Sequence, residues 1–167
     1  TLYFQPGGGL DGVKPTASNS FSEYTSDPAR PVPYTERVHA DRTREYMTDD
    51  QRFASRRPDV LVFQTPVIKK DITVTGTVIA DLLVSLNTTD ADFVVKVIDV
   101  FPDDYRQQSG PRNNYPMGGY QMLVRGEIFR GRYRNSFENP SAFTPNKVER
   151  VKFELPDIAH CFRKGIA

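Results

Sequence analysis

From residue 60 onward the chain is written mainly in alternation. Between Ile72 and Leu86 the even positions are Ile72, Val74, Gly76, Val78, Ala80, Leu82, Val84 and Leu86, and the odd positions are mostly polar (Thr73, Thr75, Thr77, Asp81, Ser85). Successive strand side chains point to opposite faces, so this period of two predicts one long strand with a single buried face, bent at Gly76. Phe93 to Phe101 carries apolar residues on both faces, as a central strand does. Met122 to Tyr133 predicts another strand, with Gly126 and Gly131 as bulge or bend points. Val151, Phe153 and Leu155 alternate with Lys152 and Glu154, the pattern of a half-exposed strand. The run Val60-Leu61-Val62-Phe63 predicts a short strand from its β-forming residues. Pro102, Pro111, Pro116, Pro140, Pro145 and Pro156 are expected between the strands.

The first third reads differently. Residues 1–35 are broken by Gly7-Gly8-Gly9, Gly12, Pro15, Pro28, Pro31 and Pro33. That predicts a short strand at 2–5 followed by an extended, surface-hugging interdomain connector. Thr48-Asp49-Asp50-Gln51 fits a capping box, Arg56 and Arg57 suit the opposite helix end, and Pro58 stops it, which predicts a two-turn helix at 49–56. Short strands, Pro/Gly-rich connections and almost no helix give an all-β sandwich over 36–167. The irregular spacing argues against a propeller or solenoid.

Composition narrows the function. The 167 residues suffice for one core, the hydrophobic fraction is 38% and the net charge is +1. Balanced charge points to neither nucleic acid nor an anionic membrane as partner. No apolar stretch is long enough to span a bilayer, and no signal-peptide pattern opens the chain. The single cysteine, Cys161, cannot form an intrachain disulfide or a zinc-finger set. Asn87-Thr88-Thr89 matches a glycosylation sequon, a triplet common by chance.

No catalytic residue, cofactor-binding residue or metal ligand is assigned. Acyl transfer needs a nucleophile, a base and an orienting acid, and no G-x-S-x-G elbow occurs. His39 falls in polar connector sequence and reads as an exposed residue, and His160, at a strand exit, reads as a structural hydrogen-bonding residue. His160 and Cys161 are adjacent, so a strand would point them to opposite faces. Asp90, Asp92, Asp99, Asp103 and Asp104 have the oxygen chemistry of a calcium site but lack its loop spacing. Arg125, Arg130, Arg132 and Arg134, interleaved with Phe129 and Tyr133, resemble a basic-aromatic nucleic-acid surface. The neutral overall charge and nearby Glu127 favour a structural or interdomain role for them. Gly118-Gly119 is a turn signal with no phosphate-loop Lys-Ser/Thr after it.

Several segments resemble the C-terminal non-catalytic domain of the α-amino-acid ester hydrolases, which group with the cocaine esterase, glutaryl-acylase and Xaa-Pro dipeptidyl-peptidase serine hydrolases. They are Glu45-Tyr46-Met47-Thr48-Asp49-Asp50-Gln51-Arg52-Phe53, Arg57-Pro58-Asp59-Val60-Leu61, Val74-Thr75-Gly76 with Asp81-Leu82, and Thr89-Asp90-Ala91-Asp92-Phe93-Val94-Val95-Lys96 with Asp99-Val100-Phe101-Pro102. Further on come Met117-Gly118-Gly119-Tyr120-Gln121, Val124-Arg125-Gly126-Glu127, Arg130-Gly131-Arg132 and Arg134-Asn135-Ser136. The resemblance implies a jelly-roll, galactose-binding-like sandwich packed on an upstream α/β-hydrolase catalytic domain that holds the whole triad. This chain alone is then expected to be inactive and to need no cofactor. The family is often exported and can be homo-oligomeric. Thr77 departs from the family's usual proline after the V-x-G glycine. The family also continues past the His160-Cys161-Phe162-Arg163-Lys164-Gly165 segment into a further strand, so the sandwich is expected to be truncated at its C-terminus. A free-standing carbohydrate- or ligand-binding sandwich is the alternative reading, supported by fold analogy alone.

Overall fold

A computed structural model describes residues 1–16, 20–41, 43–106 and 116–166. The order of elements is strand β1 (Tyr3–Gln5), strand β2 (Gly9–Asp11), one-turn helices α1 (Glu45–Thr48) and α2 (Arg52–Ser55), then strands β3 (Ile72–Val84), β4 (Asp92–Val100), β5 (Gln121–Arg130) and β6 (Glu149–Phe162). β1 pairs with β2, β3 with β6 and β4 with β5. The fold is an all-β sandwich with very little helix. The chain divides into two compact units, one of Thr73–Val97 with Val124–Cys161, the other of Thr1–Ile72, Ile98–Leu123 and Phe162–Ala167.

The first of these holds the sandwich core. Ala80 from β3 and Val151, Phe153 and Leu155 from β6 are buried with Phe143. Val78, Leu82 and Val84, Phe93, Val95 and Val97, and Phe129 pack on them. The Phe129 and Phe153 rings stack with centroids 5.0 Å apart. The predicted alternation therefore does what period two demands: the even face of β3 and the odd faces of β4, β5 and β6 meet. Gly76 has φ +92, so the expected bend falls at a left-handed position that a glycine accommodates.

β6 is longer than expected, because Pro156 lies inside it rather than between strands. Val151, Phe153 and Leu155 are buried in alternation, then Pro156 and Asp157 are both exposed before Ile158 is buried again. The inward phase slips by one residue, as at a bulge, where a proline is tolerated. β5 stops at Arg130, and Gly131–Tyr133 forms a 3-10 turn instead of the predicted strand end. The Gly131 amide donates to the Ala91 carbonyl at 2.8 Å, and Gly131 is buried.

The other unit carries the remaining differences. Glycines 7 and 8, at φ +76 and +83, turn β1 back onto β2 with Phe4 opposite Leu10. Val60–Phe63 is not a strand: the extended chain makes a single parallel bridge, Gly9 with Gln64. Phe63 instead stacks on Phe4 at 4.1 Å. The predicted helix at 49–56 is reduced to the single turn Arg52–Ser55, and a separate turn, Glu45–Thr48, precedes it. Asp49 is extended (ψ 141) and its carboxylate accepts the Glu36 amide at 2.9 Å, so Thr48 caps nothing. The cap-like contact is made by Asp50, whose Oδ1 accepts the Arg52 amide at 3.1 Å. Pro111 lies outside the described residues.

Candidate functional site

The candidate chemistry is spread over the fold, and each piece is used structurally. His39 is exposed in coil. His160 and Cys161 are half-buried neighbours near the end of β6, where strand geometry sends them to opposite faces. No three His, Cys, Asp or Glu side chains converge as metal ligands among the described residues. Asp99 is buried, whereas Asp103 and Asp104 are exposed. Asn87 is exposed in the bend between β3 and β4.

Of the arginines that resembled a basic-aromatic surface, Arg130, Arg132 and Arg134 are each paired with a carboxylate, and Arg125 bonds a backbone carbonyl. Arg130 donates from Nε to Asp92 at 3.0 Å, and Arg132 from Nε to Asp90 at 2.6 Å. Two of the aspartates considered as calcium ligands are thereby taken up. Arg125 donates to the Asp157 carbonyl at 2.9 Å, at the slipped phase of β6. The Asp157 carboxylate accepts the Thr77 hydroxyl at 2.7 Å, and Thr77 follows the Gly76 bend. On β3 and β6, Arg150 grips Asp81 with Nε at 2.7 Å and Nη2 at 2.5 Å, and the guanidinium holds the Asp81 carboxyl below its ordinary range.

The Arg134 side chain is enclosed, with 3% of it exposed. It donates to the Gly131, Ser141 and Ala142 carbonyls at 3.2, 2.7 and 2.9 Å, and to Glu149 Oε2 from both Nε (3.1 Å) and Nη2 (2.7 Å). Glu149 also accepts the Thr144 amide at 2.9 Å. That amide, then the Arg134 guanidinium, lowers the Glu149 carboxyl below its usual value. Nothing is left over on this pair to bind a ligand or move a proton.

A second set of clasps lies around the M-G-G-Y segment in the other unit. Asp50 Oδ1 accepts the Gln121 amide at 3.2 Å, and Asp50 Oδ2 accepts Arg52 Nε at 2.7 Å. Partial burial pushes the Asp50 carboxyl up, but the Arg52 side-chain, Arg52 amide and Gln121 amide bonds outweigh it and hold it low. The Gln51 amide donates back to the Gln121 carbonyl at 3.0 Å, and the Tyr120 hydroxyl donates to the Thr48 carbonyl at 2.5 Å. Gly118-Gly119 forms the predicted turn, and a side chain at Gly119 would meet both Asp103 and Arg52. Arg57 and Asp59 close on each other across Pro58, with Nε at 2.8 Å and Nη2 at 2.6 Å from the carboxylate. Sequence reasoning missed these clasps. The only signal for them was the clustering of Asp and Arg inside the resembling segments.

Burial pushes the Lys96 ammonium below its ordinary value. Each unit thus carries its own arginine-carboxylate clasps, and no nucleophile-base pair forms among the groups considered.

Comparison with known proteins agrees with that arrangement. The family model described as the X-Pro dipeptidyl-peptidase C-terminal non-catalytic domain matches residues 2–166. The cocaine esterase of Rhodococcus sp. (strain MB1 Bresler) is 31% identical over 159 residues, which is 95% of this chain and 25% of that protein. An aminopeptidase crystal structure from a marine sediment archaeon, Thaumarchaeota archaeon, superposes with TM-score 0.88 at 42% identity, covering 99% of this chain and 27% of the other. An α-amino acid ester hydrolase labelled with selenomethionine gives TM-score 0.89 at 40% identity, with 99% and 27% covered. The chain thus spans about a quarter of the length of these larger proteins. It belongs to the X-Pro dipeptidyl-peptidase C-terminal non-catalytic domain family.

Proposed function

We propose that this sandwich is the accessory domain of a serine α/β-hydrolase acting on α-amino-acid esters, amides or peptides. Its role is to brace the catalytic domain and to wall part of its active-site entrance. In this reading residues 1–35 are the connector to the catalytic domain and 36–167 the sandwich proper. The carrying observation is the family match over 2–166 in a chain that spans only a quarter of its relatives. The clasped arginines add support, because charge pairs closed within the domain suit a brace.

The test is hydrolysis of amino-acid methyl esters and p-nitrophenyl esters. The full-length polypeptide that contains this chain should turn them over and be blocked by a serine-directed reagent. The 167-residue chain should show no turnover. Serine-dependent hydrolysis by the chain alone would sink the proposal.

A further inference from the structure

The segment 20–38 has an inverted polarity. Thr35 is its one buried residue; the rest are exposed, and the segment has no helix or strand. What holds it is mostly polar. The Arg30 carbonyl accepts Arg57 Nη2 at 3.0 Å, and the Asp27 carboxylate and carbonyl accept the Ala29 and Arg30 amides at 2.9 Å each. The Glu36 amide donates to Asp49, and Tyr34 stacks on Tyr46 at 5.2 Å. Between these pins the apolar side chains face outward: Phe21 is 80% exposed, Val38 fully so, and Tyr24 and Val32 are exposed as well.

Single exposed apolar residues are ordinary. A strap that fixes its backbone by polar contacts and turns its apolar side chains away from its own unit is not, because it gains nothing from burial where it lies. Pro28 fixes φ inside the turn closed by the Asp27–Arg30 bond, and Pro31 and Pro33 fix φ in the stretch that follows, so the path of the strap is set in advance. Such preorganisation lowers the entropy lost when a segment docks.

We infer that residues 20–38 are a docking strap for the α/β-hydrolase domain of the same enzyme, with Phe21, Tyr24, Val32 and Val38 seated in apolar recesses of that domain. The partner is chosen because most of each relative's length lies outside the matched region. The inference rests on the hydrolase reading above.

Hydroxyl-radical labelling of the full-length polypeptide tests it. Phe21 and Tyr24 should label about tenfold more slowly than in the urea-unfolded protein, because interface cores exclude water. Phe21→Asp with Val38→Asp should shorten the thermal half-life of ester hydrolysis, while Phe21→Leu should keep it. Labelling at the unfolded rate in a preparation that hydrolyses esters overturns the strap and leaves the hydrolase reading standing. Slow labelling without hydrolysis overturns the choice of partner and the hydrolase reading together. Protection that disappears on dilution to monomer means that a second copy covers the strap, which also overturns the inference.

Discussion

The Arg134 guanidinium lies over the Phe143 ring, its central carbon 3.9 Å from the centroid. One side chain thus joins the 3-10 turn after β5, the aromatic core and the first residue of β6. The planar fork matches carbonyls and carboxylate at once and stacks on a ring, which a lysine cannot do. Arg134→Ala should cost about 3 kcal/mol, since it strands several part-buried acceptors and uncovers the Phe143 ring. Arg134→Lys should recover only part of that loss. Urea unfolding of the three forms measures both effects.

Gly131 sits where no side chain fits. A Cβ there would lie 2.6 Å from Phe143, 2.8 Å from Phe93 and 2.9 Å from the Ala91 carbonyl. Gly131→Ala should destabilise by about 2 kcal/mol through overpacking. The same change at Gly12, where no atom lies within 4 Å, should have little effect. Thermal melts of the two variants compare them.

Leu155 is 1% exposed and Leu83 is 76% exposed. Leu155→Ala removes a filled position between the sheets and should cost about 3 kcal/mol. Leu83→Ala should stay within about 0.5 kcal/mol, as exposed positions do. Equal losses in chemical denaturation would mean that Leu83 is covered.

Stability should fall in acid. The Glu149 carboxyl is held below its ordinary 4.5 in the folded chain by the Thr144 amide and Arg134. The unfolded chain therefore takes up that proton first as the pH drops. The stabilisation is complete above pH 4.5 and is lost as the pH falls through the lower folded value. Asp59 and Asp81, lowered from 3.8 by Arg57 and Arg150, add to the same trend below that value. A Glu149→Gln chain should show a shallower loss of urea midpoint from about pH 5 to about pH 3.

The long strands were legible because alternation is local information. β3 and β4 lie within a residue or two of the expected bounds, and β5 starts one residue from its expected position. β6 was cut short because Pro156 looks like a terminator, and only the burial pattern shows that the inward phase slips there. β2 was invisible because three residues, Gly9-Leu10-Asp11, carry no period. The helix at 49–56 failed because Asp49 is extended, and the amide its carboxylate accepts comes from Glu36, a contact no short window contains. The clasps were unreadable for the same reason. Asp81 and Arg150 are 69 residues apart, and only the β3–β6 pairing makes them neighbours. Membership of this domain family, by contrast, was readable from the resembling segments alone.

Pro156 also bears on how copies of this chain meet. Among the described residues the pairing of β6 is with β3, and Pro156 stands on one rung of the strand. Proline offers no amide at that rung, and the slipped phase beside it twists the row out of line. A strand laid along the side of β6 that Pro156 faces would lack a donor at that rung and meet the slipped phase beside it, which disfavours long regular cross-β pairing there.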